Sequence, residues 1–584
     1  MVVRPRILAL FLLFVSLGAA QAPVAINYIV RISAAQNHYV EVEARIPTAT
    51  QPRVELMMAV WTPYVIREYG KNLEALAART ADGRPLVIEK SRKNRWHIET
   101  AGADPILVSY RVYCHVMGVQ DNWVDDEFAL LNGAPTYLTL ADHAARPHDV
   151  QLILPPTWKT SATGMPPVPG TPHHYRAPDY ETLVDSPIVA GNPAMHEFTV
   201  EGKPHYLVDV GEDGVFDGDR AAEDLARIVR DDARLWGGLP YDKYLFLNML
   251  TGGGGGMEHS NSTALMSDRW STRTRRSYLR WLELASHEFF HAWNVKRLRP
   301  AELTPGEYET EPYTTSLGIA EGFTSYYAPL MVHRAGLSTE EELLATLSNT
   351  IRELQTTPGR LVQSLSLSSF DTWIKFYHPD ENSGNTAISY YTKGAVAGFL
   401  LDARVRSATH GAKSLDDVMR LALARNSPGG YTPAAFRAVA SEVAGTDLSG
   451  WFARVFDSTA ELEYHEALDW FGLRFAGESS NQRAWLGADT KVEEGRLIVT
   501  RIPRGTPAYE AGLDTGDEIA GFADFRVRPA DWDRQLANYR PGDRLPLLLA
   551  RRGRLIRVTV TLGREPALAW TLEAATASPH RAPW

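Results

Sequence analysis

Ala285-Ser286-His287-Glu288-Phe289-Phe290-His291-Ala292-Trp293-Asn294 is the stretch around which the rest of the chain is ordered. It contains His-Glu-x-x-His. On a helix, residues four apart share a face, so this spacing aims the imidazoles of His287 and His291 at one point. A divalent metal bound there needs a third protein ligand and an open position for water. Glu288 points to one side of the pair, where a carboxylate can take a proton from that water. Two histidines on an ordinary helix match the same short pattern, so its meaning depends on what the flanking chain supplies.

Upstream, Tyr244-Leu245-Phe246-Leu247-Asn248-Met249-Leu250 predicts a strand that runs into five glycines at residues 252–256, then Met257-Glu258-His259. Glycines in this position have two readings. One is a flexible surface turn; the other is a backbone edge, including Gly254, Gly255 and Gly256, stripped of side chains so that a peptide can lie against it. A phosphate-cradling loop is disfavoured because no Gly-Lys-Ser/Thr follows. Leu279, Leu282, Ala285, Phe289 and Trp293 then give the central helix, expected to begin near Tyr278, an apolar face. Downstream, Ser316-Leu317-Gly318-Ile319-Ala320-Glu321-Gly322-Phe323-Thr324-Ser325-Tyr326-Tyr327-Ala328 predicts a second internal helix holding one carboxylate. Burying Glu321 unpaired is costly, and a metal is the partner this chain offers. Two neutral imidazoles and a hard oxygen form a catalytic zinc set with one position left for water.

The chain has 584 residues, enough for several domains. Its formal net charge of −10 leaves no basic excess to neutralise phosphates, which excludes a nucleic-acid binder. Arg4 and Arg6, an apolar run at residues 7–17 and the small residues Gly18, Ala19 and Ala20 predict a signal peptide over residues 1–22. Contact with a membrane is expected only if that signal stays uncleaved. Cys114 is the single cysteine, so no intrachain disulfide and no cysteine-built metal site is available. Export without disulfides suits a periplasmic or secreted enzyme. From residue 23 to 204, short alternating runs such as Ile26-Asn27-Tyr28-Ile29-Val30-Arg31 predict an antiparallel β-sandwich or open barrel.

Taken together, His-Glu-Phe-Phe-His-Ala-Trp-Asn-Val-Lys-Arg (from His287), Glu-Gly-Phe-Thr-Ser-Tyr-Tyr (from Glu321), Gly-Gly-Met-Glu-His (from Gly255) and Tyr390-Tyr391-Thr392-Lys393-Gly394-Ala395 resemble the glycyl aminopeptidases, a family of gluzincin metallopeptidases. The resemblance covers nearly the whole mature chain. It implies a thermolysin-like α/β catalytic domain with a helical lobe over residues 205–475, and one Zn2+ per chain bound by His287, His291 and Glu321. It further implies Glu288 as general base, Glu258 as the group that holds a substrate's free amino group, and Tyr391 as the stabiliser of the oxyanion, with Tyr390 a rival. Two positions depart from the family's pattern: Gly318 stands where many relatives carry Trp, and Ser325 where thermolysin-type relatives place an Asp that orients a histidine. The partner behind the histidines is therefore unassigned.

Residues 476–483 are polar and read as a linker. Over residues 484–565, Trp485-Leu486-Gly487-Ala488 and Gly512-Leu513-Asp514-Thr515-Gly516-Asp517-Glu518-Ile519 resemble a PDZ domain, whose Leu-Gly loop, here Leu486, Gly487 and Ala488, captures a peptide or C-terminus. Residues 566–584 read as a tail. The whole predicts a multidomain α+β zinc aminopeptidase that removes N-terminal Gly or Ala from peptides by metal-activated water. A zinc endopeptidase using the same site, and a peptide-binding scaffold with a vestigial metal site, are the alternatives.

Overall fold

The computed structural model describes residues 23–62, 65–142, 145–303, 308–476, 483–565 and 570–575. The expected signal peptide and most of the expected linker lie outside the described residues.

The alternating strands near the start build a β-rich domain of one six-stranded and two four-stranded sheets around a common core. In Ile26–Arg31 the residues Ile26, Tyr28 and Val30 point inward, as the two-residue period of a strand requires. One expectation is corrected here. Ile26–Arg31 pairs antiparallel with Tyr39–Ile46 but parallel with His148–Ile153, so the domain is not purely antiparallel.

A second correction concerns where this domain ends. Ala194–Val200 alternates like the strands before it, but it pairs with Lys203–Val210, which in turn lies parallel to Tyr244–Met249. These strands, with Ser262–Met266 and Gly255–Glu258, form the five-stranded sheet of the catalytic domain. The boundary thus falls before residue 194 and not at 204. Gly255–Glu258 pairs only with Ser262–Met266 and forms the sheet's edge. Gly218–Trp236 buries Leu225, Ile228, Val229 and Ala233, a helical period that seats one face on the core.

The central helix spans Arg275–Phe290, with Thr274 capping it by accepting from Ser277 N–H. The helices of the lower lobe include Glu340–Thr356, closed by a Thr339/Glu342 capping box, and Tyr390–Ala408. The last of these begins at a Ser389 cap, so Tyr391, Lys393 and Gly394 lie in its first turns.

The C-terminal module is a β-rich unit with its own core. Its main sheet runs Asp489–Glu493, Arg496–Arg501, Glu518–Phe522, Arg544–Arg551, Arg554–Thr561. Asn385 of the lobe fastens it, donating to the Ile502 carbonyl at 3.0 Å and accepting from the Arg504 N–H at 2.7 Å. The expectation of a tail after 565 is corrected too. Leu572–Ala574 returns to the catalytic domain, pairing antiparallel with Leu473–Phe475, and Leu572 enters that domain's core. Residues 576–584 lie outside the described residues.

Candidate active site

Helical spacing brings Nε2 of His287 and Nε2 of His291 to 3.1 Å. The helix ends immediately after, with His291 as its final cap, and Glu321 reaches the pair from a separate segment. That segment, Gly318–Gly322, is a single π-helical turn preceding the helix Phe323–Arg334, a widened geometry found often at functional sites. Oε2 of Glu321 lies 3.2 Å from His291 Nε2 and 3.5 Å from His287 Nε2.

These separations fit a metal. Ligand atoms at about 2.0–2.1 Å from a tetrahedral ion stand roughly 3.3 Å from one another. Nδ1 of His291 lies 2.6 Å from the Asn294 carbonyl, an acceptor that requires the proton on Nδ1. Nε2 therefore turns its lone pair toward the Glu321 carboxylate, an arrangement that is repulsive without a cation or proton between them. Burial opposes charge on these groups, yet Glu321 draws His291 toward its protonated form. Against the same burial, the imidazoles hold Glu321 well below the usual carboxylate range.

Three glycines explain how Glu321 reaches the site. A Cβ on Gly322 would stand 2.4 Å from Gly394 Cα, and one on Gly394 would stand 2.6 Å from both Gly318 O and Gly322 Cα. The π-turn thus crosses the helix Tyr390–Ala408 backbone to backbone, and this contact accounts for the Gly of Tyr-x-Lys-Gly. A Cβ at Gly318 would also meet the Leu365 side chain at 2.8 Å, so the larger residue of many relatives has no room here. Lys393 points away. It donates to the Ser458 carbonyl at 3.3 Å, and burial brings its ammonium down to about 8.

Asn294 answers the question left open by Ser325. Its carbonyl orients His291, while its side-chain amide donates to the carbonyls of Ile319 and Ala320 and to Thr324 Oγ1, each at 3.0 Å. One residue therefore ties the histidine helix to the turn that bears Glu321. Ser325 only donates back to the Glu321 carbonyl at 2.9 Å within its own helix.

Glu288 is buried, and burial pushes its carboxyl well above the usual range, with His291 opposing. It lies against the edge strand: a Cβ on Gly256 would fall 2.3 Å from the Glu288 carboxylate. Of the three glycines singled out, only Gly256 makes this contact. Gly254 and Gly255 are exposed, and no atom stands within 4 Å of where either Cβ would be. Glu258 ends the same strand within the cluster formed by Glu288 and His291. Its Oε1 is buried and has no hydrogen-bond partner among the described residues.

The structure also separates the two tyrosines. Tyr390 is fully buried, and its hydroxyl accepts from Thr372 at 3.2 Å. Tyr391 is half-buried and lies beside the candidate metal set, its ring centroid 6.2 Å from that of His287. Sequence reasoning missed Tyr377, whose hydroxyl lies 3.3 Å from that of Tyr391. No motif marks it, because it sits in a turn-rich segment without periodicity. In the C-terminal module, Leu486 is buried and its carbonyl accepts from Ala508 N–H at 2.8 Å. Gly487 takes φ +76 with its missing Cβ facing Thr506, and Ala488 leads into the edge strand Asp489–Glu493.

Comparison with known proteins bears on this site. A search of curated proteins returns no match. The solved structure of an aminopeptidase N family protein from Idiomarina loihiensis is similar at a TM-score of 0.89 and 30% identity, over 94% of this chain and 98% of that one. A variant of an M1 zinc metallopeptidase from Deinococcus radiodurans, solved with a Tyr-Ser-Ala substrate, matches at a TM-score of 0.48 and 13% identity, over 76% of this chain and 95% of that one. Residues 27–192 match the Peptidase M61 N-terminal domain and residues 280–397 match M61 glycyl aminopeptidase, the span that holds His287, Glu288, His291, Glu321 and Tyr391; the chain belongs to the M61 glycyl aminopeptidase family and is a peptidase.

Proposed function

We propose that the chain is a zinc aminopeptidase that removes a small first residue, glycine or alanine, from peptides. The observation that carries this reading is the buried, unpartnered Oε1 of Glu258 beside the metal-binding set. Glu258, Glu288 and Glu321 bring three carboxylates into one enclosed space. A divalent ion and the ammonium of a free N-terminus balance that charge, and buried carboxylates require such partners. An interior peptide bond offers no ammonium, which favours an aminopeptidase over an endopeptidase.

A zinc ion held by His287, His291 and Glu321 supplies Lewis acidity to the scissile carbonyl and lowers the pKa of water. Glu288 accepts a proton at its carboxylate from the attacking water and later delivers it to the leaving amine nitrogen. Its place beside His291 and against the edge strand suits a group that must carry the proton from one step to the next. Tyr391 donates its O–H to the carbonyl oxygen as negative charge develops there. The open side of Gly255–Glu258 offers a backbone edge along which the substrate lies, and Gly256 keeps that edge close to Glu288.

The reading also takes the chain to be exported to the periplasm or beyond. It takes the C-terminal module to be PDZ-like, with Leu486, Gly487 and Ala488 holding a peptide C-terminus beside an open edge strand. The test of the central claim compares a Gly-anilide with its N-acetylated form, in wild type and in Glu258→Gln. Wild type is expected to cleave only the free amine, and Glu258→Gln to lose about tenfold or more in kcat/KM. Equal cleavage of both substrates by wild type refutes the aminopeptidase reading.

A further inference from the structure

The run Asn294-Val295-Lys296-Arg297, which begins three residues after the second histidine, contains a backbone outlier. Val295 takes φ +112, a region in which a β-branched residue is strained, and such strain persists only where the surroundings impose it. What lies on either side of it is functional: Asn294 orients His291, and Lys296 directs its ammonium to the N-terminal domain. There Nζ lies 2.8 Å from Oδ1 of Asp185, the residue that closes the short helix Tyr180–Val184.

Asp185 holds the site a second time. Its Oδ1 lies 3.2 Å from Nδ1 of His259 and its Oδ2 accepts from Ser260 N–H at 2.8 Å, and these two residues directly follow Glu258. One carboxylate from another domain thus binds both the segment behind the metal ligands and the turn behind the edge strand. Burial opposes the charge on Lys296, and the negative charges of Asp185 and then Glu258 favour it, so the ammonium is held above its ordinary range. The ammonium is thus hydrogen-bonded to the same carboxylate that holds the two residues after Glu258, while Oε1 of Glu258 has no hydrogen-bond partner among the described residues.

The chemistry of that arrangement is a competition between like groups. Lys296 carries a primary ammonium on a flexible stem, the same group that a peptide's N-terminus would bring to Glu258. We propose that Asp185 is a positioning residue that holds the Lys296 ammonium away from Glu258, so that the N-terminal domain sets the affinity of the site for the substrate's free amine. This rests on the assignment of Glu258 as the amine anchor. Without the Asp185 charge, Lys296 is left beside Glu258 as a tethered rival to the substrate, and it raises KM with little effect on the bond-breaking step.

The test uses the full-length, zinc-loaded chain and Gly-anilide. Asp185→Asn is expected to raise KM about tenfold or more, because a flexible ammonium released from its partner near a buried carboxylate in a protein interior acts with at least that strength, while kcat stays within about threefold. Adding Lys296→Met to Asp185→Asn is expected to return KM to near the wild-type value, a rescue that a purely structural Asp185 would not show. Unchanged KM in Asp185→Asn, or a loss of kcat that the double variant does not repair, overturns the proposal. Lys296→Met alone gives a second reading should Asp185→Asn fold poorly: KM at or below wild type supports the proposal, and KM raised as in Glu258→Gln overturns it. Cleavage of N-acetyl-Gly-anilide as fast as the free amine instead removes the amine-anchor reading, and the proposal falls with it, whatever the Asp185 variants do.

Discussion

Gly394→Ala tests whether a backbone crossing sets the catalytic geometry. The new methyl would lie 2.6 Å from the Gly318 carbonyl oxygen and 2.6 Å from Gly322 Cα. Ordinary carbon contacts lie at about 3.5–4.0 Å, so the π-turn and the helix Tyr390–Ala408 must separate by roughly 1 Å. Both obstructing atoms are backbone, so no side-chain rotation relieves the clash. Glu321 sits between Gly318 and Gly322, and Tyr391 lies three residues before Gly394, so the separation pulls the proposed metal ligand away from the proposed oxyanion donor. Overpacking of this kind costs about 1–3 kcal/mol, and a 1 Å misplacement of reacting groups costs on the order of 100-fold in rate. Turnover of Gly-anilide is expected to fall at least about 30-fold, with zinc lost more readily to a competing chelator. Gly398→Ala, one turn further along the same helix, is the control. Its methyl would stand 3.1 Å from Tyr326 Cβ and 3.3 Å from the Phe323 ring, contacts that ask for a shift of only a few tenths of an ångström, so its activity is expected to stay within about threefold of wild type. If Gly394→Ala keeps both turnover and chelator resistance within about twofold, the crossing does not govern the site and the reasoning fails.

Other outcomes follow from the same geometry. Glu288→Gln is expected to retain zinc and fold while losing about 100- to 10,000-fold in kcat, measured with matched metal content, because it removes the proton carrier and not a ligand. Tyr391→Phe is expected to lower kcat about 100-fold or more with KM little changed, whereas Tyr390→Phe, whose hydroxyl faces Thr372, is expected to change kcat by less than about threefold. Asp209 gives a pH signature: burial raises its acid to about 7 despite the Asn248 amide, which donates to it at 2.6 Å. Because the folded chain holds this proton more tightly than the unfolded one, the associated stability is present at low pH and is lost as pH rises from about 4 to 7. Asp209→Asn is therefore expected to gain stability relative to wild type at about pH 8 compared with about pH 5, as read by urea unfolding.

How much of the molecule is legible in its sequence depends on how local the cause is. His287 and His291 share a face by spacing alone, and Glu321 stands out as one acid in an apolar run, so all three candidate ligands that the fold brings together can be read from the chain itself. The first turns of the helix that carries Tyr391 are harder, because its start is set by the Ser389 cap and by the glycine crossing. The domain boundary fails for a related reason. Ala194–Val200 alternates as the preceding strands do, and only its pairing with Lys203–Val210 assigns it to the catalytic sheet. Leu572–Ala574 is too short to carry a pattern, and its place is decided by a strand nearly a hundred residues earlier. Asp185 is 111 residues from Lys296, and no periodicity joins them.

Asn294 shows how a missing residue can redirect the chemistry of a site. A carboxylate behind a metal-bound histidine fixes its tautomer and also feeds negative charge into the ligand. The backbone carbonyl of Asn294 does the first without the second: it holds Nδ1–H of His291 at 2.6 Å and adds no formal charge. With Ser325 hydrogen-bonded into its own helix, the negative charge next to the metal site comes from Glu321, Glu288 and Glu258 themselves. In the proposed reaction two of these are committed, one to the ligand set and one to proton transfer. The charge that is left belongs to Glu258, and a site that placed a further acid behind His291 would spread its attraction for a cation away from the point where a substrate ammonium must dock. On the proposed reading, a neutral partner behind the histidine and a single free carboxylate in front of it are two parts of one arrangement for recognising a free N-terminus.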